Sequence, residues 1–180
     1  CRLLCSDRIG PGGEAHEVAA LLARRVTRLP LNGGRRVVAD HDARIVCTDL
    51  SEQMLRRARQ RLKSNRPEFI AADVTNLPFA DGTFDGITCG YVLEHVPDPA
   101  HGLSEMARVL RKGGRMLLLA TEDNFSGAWT SRLWYCQTYN RRELRELCES
   151  LGLHWKKELW FTPMHKAIRA GGICVEIEKV

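Results

Sequence analysis

The chain has 180 residues, with 27 Lys+Arg against 22 Asp+Glu and a formal net charge of +5. A hydrophobic fraction of 44% with 27% charged residues is globular composition, which excludes a disordered tail or a collagen-like chain. A chain of this length holds one sheet with flanking helices, not two full domains.

The seven cysteines are odd in number and contain no C-x-x-C pair, so neither a zinc site nor any other metal site is expected. Cys47, Cys89 and Cys174 lie in apolar runs and read as small buried hydrophobes. Free thiols of this kind suit a reducing compartment, so a cytoplasmic location is expected. The longest apolar run, Met116 to Ala120, is far short of the roughly 20 residues of a membrane span. No signal-peptide h-region is present, and the chain opens on Cys1 rather than Met, as a fragment or a processed product would. Scattered basic pairs such as Arg24-Arg25, Arg56-Arg57 and Arg141-Arg142 have acids nearby and read as solvated helix faces, not as a nucleic-acid footprint.

In chain order, Arg2 to Ile9 is a first strand running into Gly10-Pro11-Gly12-Gly13, and Glu14 to Thr27 a first helix. Arg28 to Asp42, with Asn32-Gly33-Gly34, reads as an insertion. Ala43 to Asp49 is a β-branched strand ending in an acid. Ser51 then N-caps a helix carrying Met54, Leu55, Ala58 and Leu62 at helical spacing. Phe69 to Val74 is a third strand, with an acid, Asp73, at its end. Asp81-Gly82 marks a turn before the strand Phe84 to Gly90. A helix spans Pro99 to Leu110, stopped by Gly113-Gly114 with Arg111 and Lys112 at its C-terminal end. Arg115 to Thr121 is the next strand. Asn140 caps a helix from Arg141 to Leu151, ended by Gly152, and two strands follow, His154 to Phe161 and Gly172 to Val180. The alternation of Ile173, Val175 and Ile177 with Glu176 and Glu178 predicts that the last strand is half-exposed.

Continuous apolar strands alternating with helices specify an α/β fold: a doubly wound, Rossmann-like, mainly parallel sheet with helices on both faces. The last two strands are expected to close the sheet edge as an antiparallel pair. One domain is expected over residues 1–180: a divergent start and insertion (1–42), a cofactor-binding core (43–121), and a substrate-side segment with the closing strands (122–180).

Ligands in such a sheet bind beyond the carboxyl ends of the strands. Asp49 stands where one carboxylate can grip two ribose hydroxyls. Asp73 stands where a carboxylate can accept from a purine amino group, with the Val74 amide beside it. Gly90 ends the next strand, where the lack of a side chain lets a ligand approach the backbone.

The segments IVCTDLSEQML, FIAADVTNLPFADGTFDGITC, GYVLEHVPDP and EMARVLRKGGRMLL occur in this order over residues 43–121. In this the chain resembles the core of the class I S-adenosylmethionine-dependent methyltransferases. The resemblance implies that Asp49 binds the cofactor ribose, Leu50 flanks the adenine and Asp73 with Val74 reads the adenine edge. It also implies that Gly90 lies near the methionine moiety, with Met54 packing nearby. Gly10 and Gly12 would belong to the glycine loop that aims amides at the methionine carboxylate.

That loop is where the sequence departs from the family, whose first motif reads acid-x-G-x-G-x-G. Aligning the glycines here puts Ser6 at the acid position, and aligning Asp7 puts the glycines one residue late. The departure predicts weakened cofactor binding with the fold retained. The family's N-terminal helical lid is also expected to be missing or supplied elsewhere.

The implied reaction is in-line displacement of a methyl group onto a small-molecule acceptor, with the protein contributing proximity and orientation. Tyr91, Glu94 and His95 are the candidate bases or positioning groups. Trp129, Trp134, Tyr135 and Tyr139 suit an apolar or aromatic acceptor. The alternative is a non-catalytic methyltransferase-like module or subunit that works with a protein partner. A nicotinamide dinucleotide site would share the ribose acid but not the Asp73-Val74 pair.

Overall fold

The computed structural model describes residues 2–7, 44–62, 67–123, 137–160 and 172–180, with the backbone alone for 2–7, 44, 61 and 62. The predicted glycine loop with Gly10 and Gly12, the first helix, the insertion before residue 43 and the aromatic segment 124–136 lie outside the described residues.

Seven strands form one sheet in the order β3-β2-β1-β4-β5-β7-β6. They are β1 (Arg2–Asp7), β2 (Arg44–Asp49), β3 (Glu68–Ala71), β4 (Phe84–Gly90), β5 (Leu110–Ala120), β6 (Leu153–Glu158) and β7 (Ile173–Lys179). Strands β1 to β5 pair in parallel, and β7 pairs antiparallel with both β5 and β6. The described helices are α1 (Glu52–Leu62), α2 (Pro99–Val109) and α3 (Arg141–Ser150). The chain steps outward from β2 to β3 and in the opposite direction from β4 to β5. Right-handed crossovers therefore put α1 and α2 on opposite faces.

Strand β5 shows why this stretch is a continuous apolar run. Met116, Leu118 and Ala120 join one core cluster, with Leu103 and Met106 of α2 and Leu144 and Cys148 of α3. Leu117 and Leu119 join Cys174 in a second cluster. Both faces of the strand are covered, so period-two polarity disappears.

Four expectations are corrected. The last strand is not half-exposed: Ile173 to Ile177 are all buried, because β7 lies inside the sheet between β5 and β6. The charge on Glu176 is accommodated there by Arg115, with Nη1 donating to Oε1 at 2.9 Å. Second, Asp73 and Val74 lie beyond their strand, since β3 stops at Ala71. Asp73 Oδ1 accepts from the Thr75 amide at 2.9 Å and its carbonyl accepts from Asn76, a turn that the short polar side chain favours over continued pairing.

Third, α2 ends at Val109, before the predicted glycine stop, and β5 begins at Leu110. Lys179 Nζ donates to the carbonyls of Ala107 and Leu110, both at 2.7 Å, and so satisfies the end of the helix from another strand. Gly114 is needed for close packing there, because a Cβ would lie 2.7 Å from the Arg111 carbonyl oxygen. Fourth, the strand predicted to run to Phe161 ends at Glu158 after an irregularity between Trp155 and Lys157.

Most of the described basic side chains meet acids. Arg56 pairs with Glu52, Arg142 with Glu146, and Arg145 with Glu149 along their helices. Among the described residues no helix is long and apolar enough to cross a membrane, and no cluster of three His, Cys, Asp or Glu is arranged to hold a metal ion.

Candidate active site

The parallel strands end on one side of the sheet. There the exits of β2, β3 and β4 enclose a cleft of about 300 Å³. The β2 exit contributes Thr48, Asp49 and Leu50. The β3 exit contributes Ala72 to Thr75, and the β4 exit Val92 with His95 to Asp98.

Asp49 is 5% exposed, and its Oδ1 accepts from the Ser51 amide at 2.8 Å, so the strand-to-helix turn fixes the carboxylate on the cleft wall. Leu50 is 59% exposed, an apolar surface bared at the cleft rim. The neighbouring exit carries the second carboxylate, Asp73, with Val74 beside it. The Ala72 amide donates to the Asp49 carbonyl at 3.1 Å and holds the two exits in step. Among the described residues, no atom lies within 4 Å of where a Cβ on Gly90 would stand at the end of β4. Strand β1 pairs out to Asp7, opposite Gly90, so an acid ends the central strand three residues ahead of Gly10.

This is the site geometry expected of a nucleoside-binding doubly wound sheet, and residues 32–118 match the family model of a methyltransferase domain. Over residues 32–118 the chain is similar to the methyltransferase domain family. Its sequence is 36% identical over 116 residues to a demethylmenaquinone methyltransferase of Clavibacter sepedonicus, covering 63% of this chain and 47% of that one. It is 35% identical over 105 residues to a ubiquinone/menaquinone biosynthesis C-methyltransferase of Desulfotalea psychrophila, covering 58% and 37%. The chain thus spans less than half the length of these curated relatives. The fold is similar to that of an S-adenosylmethionine-dependent methyltransferase from Methanosarcina mazei, with a TM-score of 0.67 and 15% identity over 99% of this chain and 92% of that one. An N-methyltransferase from Bradyrhizobium japonicum, solved with S-adenosyl-L-homocysteine, gives a TM-score of 0.64 and 16% identity over 99% and 77%.

Not every candidate residue lines the cleft. Met54 is half-buried on α1 and is absent from the cleft wall. Tyr91 adopts a left-handed backbone, φ 55°, and its ring packs against Leu117, Leu119 and Cys174. Burial, then the nearby Glu94 and Cys174, push its hydroxyl up to about 12. Glu94 is 3% exposed. Its Oε1 accepts from the Thr121 amide at 2.6 Å, and its buried Oε2 has no hydrogen-bond partner among the described residues. Burial, the largest cause, raises the carboxyl above its ordinary value. His95 alone of the three candidates is exposed and lines the cleft.

The pair Glu94-His95 falls in a short 3-10 turn, Leu93–His95, and does not cap the next helix. That cap is Asp98, whose Oδ1 accepts from the amides of Ala100 and His101. The turn is held from a distant part of the chain. Tyr139 Oη donates to the Leu93 carbonyl at 2.6 Å and Gln137 Nε2 to the Val96 carbonyl at 3.3 Å. No local signal could have shown these contacts, because they bridge 46 and 41 residues.

Proposed function

We propose that the domain catalyses methyl transfer from S-adenosylmethionine to a small-molecule acceptor. The observation that carries this reading is the pair of carboxylates, Asp49 and Asp73, at the ends of neighbouring parallel strands on one cleft. The residues fit the cofactor. Asp49, anchored by Ser51, would accept from both ribose hydroxyls, and Asp73 with the Val74 amide would meet the adenine edge. Leu50 would cover the purine face, and the bare end of β4 at Gly90 would leave room for the methionine arm. Bound S-adenosylmethionine supplies an electrophilic methyl group on a sulfonium centre. The protein orients both reactants and excludes water, and the acceptor's proton leaves to a base or to solvent. His95, on the cleft wall, is the proposed positioning group or base of the three candidates. Tyr91 and Glu94 would act by shaping the exits.

The acceptor class we favour is an aromatic ring of the quinol kind, supported by the names of the relatives that are 35% to 36% identical. Residues 1–180 are taken as one domain, supported by the single sheet that runs from β1 to β7. A cytoplasmic site of action belongs to the same proposal.

Titration calorimetry with S-adenosylhomocysteine tests the cofactor reading. Wild type should bind, and Asp49→Ala should bind at least about tenfold more weakly through loss of charge-assisted hydrogen bonds. Absence of binding by wild type overturns it. Mass spectrometry of a demethylmenaquinol incubated with the protein and S-adenosylmethionine tests the acceptor, with a product heavier by one CH2 expected, because a methyl group replaces a hydrogen. A second reading, a module that binds cofactor without turnover, draws on the altered glycine loop. Binding without product on any quinol would favour it.

A further inference from the structure

Helix α2 touches both walls of the cleft. Its cap, Asp98, belongs to the wall formed by the β4 exit. One turn later it meets the other wall: a Cβ on Gly102 would lie 3.6 Å from Val74 Cγ1, 3.5 Å from Leu93 Cδ2 and 3.7 Å from Val96 Cγ1. Both walls therefore rest on the helix at one small residue.

Further along α2, Glu105 and Arg108 reach back to the loop after β3. Glu105 Oε2 accepts from the Leu77 amide at 2.9 Å, and Arg108 Nη2 donates to the Leu77 carbonyl at 3.0 Å. Arg108 Nη1 donates to the Phe79 carbonyl at 2.7 Å and to Asp81 Oδ1 at 2.8 Å. The two side chains also hold each other, through Nε to Oε1 at 2.7 Å and Nη2 to Oε2 at 2.9 Å. The loop has little regular structure of its own: a turn at Asp73–Asn76, then irregular backbone to β4. The ion pair meets the Leu77 amide and the carbonyls of Leu77 and Phe79, while the Phe79 amide donates to the Leu77 carbonyl at 2.8 Å.

We propose that Glu105 and Arg108 are positioning residues for the nucleoside half of the cleft. By fixing the loop at Leu77 and Phe79, they hold Asp73 and Val74 at the distance from Asp49 that a purine nucleoside requires. This rests on the reading of the cleft as a cofactor site. The guanidinium suits the task because its planar fork meets the two carbonyls and the carboxylates of Glu105 and Asp81 at once, five bonds where an ammonium has three N–H groups. The hydrogen bond from Arg108 also holds the Glu105 carboxyl below the usual carboxylate range, so the pair stays charged at neutral and mildly acidic pH.

The test compares wild type, Arg108→Gln, Arg108→Lys and Glu105→Gln. Arg111→Gln, which breaks an exposed pair with Asp85 away from the cleft, is the control. Affinities for S-adenosylhomocysteine and 5′-methylthioadenosine are measured well below each melting temperature, with circular dichroism to establish folding and amide exchange to follow residues 72–79. The expected result is about a tenfold loss for both ligands in Arg108→Gln, a smaller loss in Arg108→Lys and Glu105→Gln, faster exchange at Thr75 to Phe79, and no change in the control. Equal loss for the two ligands locates the effect on the nucleoside, because only one of them carries the methionine arm. Folded variants that bind like wild type and merely melt earlier would overturn the proposal. Should Arg108→Gln not fold, Glu105→Gln, which keeps an oxygen for the Leu77 amide, decides by the same measurement. If wild type binds neither ligand, the cofactor reading fails and this proposal with it; binding by wild type with unaffected variants defeats the positioning role alone.

Discussion

Gly90 and Gly172 separate two reasons for a glycine. At Gly172 the backbone is left-handed, φ +82°, and an added Cβ would lie 2.9 Å from the Ala120 carbonyl oxygen. Gly172→Ala should lower stability by about 2 kcal/mol, read by denaturant unfolding, because neither the conformation nor the neighbouring backbone can yield cheaply. At Gly90 no atom of the described residues stands within 4 Å of the added atom. Gly90→Ala should therefore unfold at the same denaturant concentration as wild type and yet bind S-adenosylhomocysteine more weakly, if the methionine arm passes there. Equal binding would remove Gly90 from the site. The buried cysteines illustrate a third residue-scale effect. Burial pushes the Cys148 and Cys174 thiols up to about 12, which leaves them un-ionised and unreactive at neutral pH.

At the scale of elements, the helix starts are held by local side chains: Ser51 Oγ accepts from the Met54 amide at 3.4 Å, and Asp98 Oδ1 from the amides of Ala100 and His101. Asn140 caps α3 by accepting from the Arg142 amide at 2.9 Å, and Asn140→Ala should cost about 1 kcal/mol in chemical denaturation. A loss below a few tenths would show that the rest of the segment holds the helix start. The segment has other holds: Arg141 forks onto Glu122 at 2.8 and 3.0 Å, pairs with Glu158 at 3.0 Å and lies over the Trp160 ring at 5.0 Å. These contacts tie the start of α3 to the exit of β5 and the end of β6. The asparagine cap was legible in the sequence because capping is local. The arginine junction was not, since its partners lie 19 and 17 residues away, past the end of β5 and at the end of β6.

Across the whole molecule, Glu94 links the exits of β4 and β5, and its protonation bears on global stability. Burial raises its carboxyl above 4.5 in the folded protein. Between that ordinary value and the raised one the folded state binds more protons than the unfolded, so the contribution of this group to stability is full at low pH and falls as pH rises through the window. Glu94→Gln keeps an oxygen for the Thr121 amide and has no charge to bury. The stability of wild type relative to Glu94→Gln should therefore decline with rising pH above about 4.5, measured as unfolding free energy across a pH series. A flat difference would show that the carboxyl is not held neutral by burial. Glu105 works in the opposite sense. Its carboxyl is lowered chiefly by the hydrogen bond from Arg108, so its contribution is present above the ordinary value and lost as pH falls through the lowered one.

The sequence by itself determined the alternation of strands and helices, the acids at or just beyond two strand ends, and the family motifs of residues 43–121. Those features are written in local patterns: apolar runs, caps, turn residues and spacing. The tertiary structure decided the rest. It buried Glu176 against Arg115 where alternation had promised solvent, because only the strand order places β7 between two neighbours. It moved Asp73 off its strand into a turn and turned Tyr91 and Glu94 into the packed exits, leaving His95 on the cleft. It also joined Glu105 and Arg108 to a loop some 30 residues earlier. Burial and long-range hydrogen bonds depend on which elements become neighbours in space, and no local stretch of the chain encodes that alone.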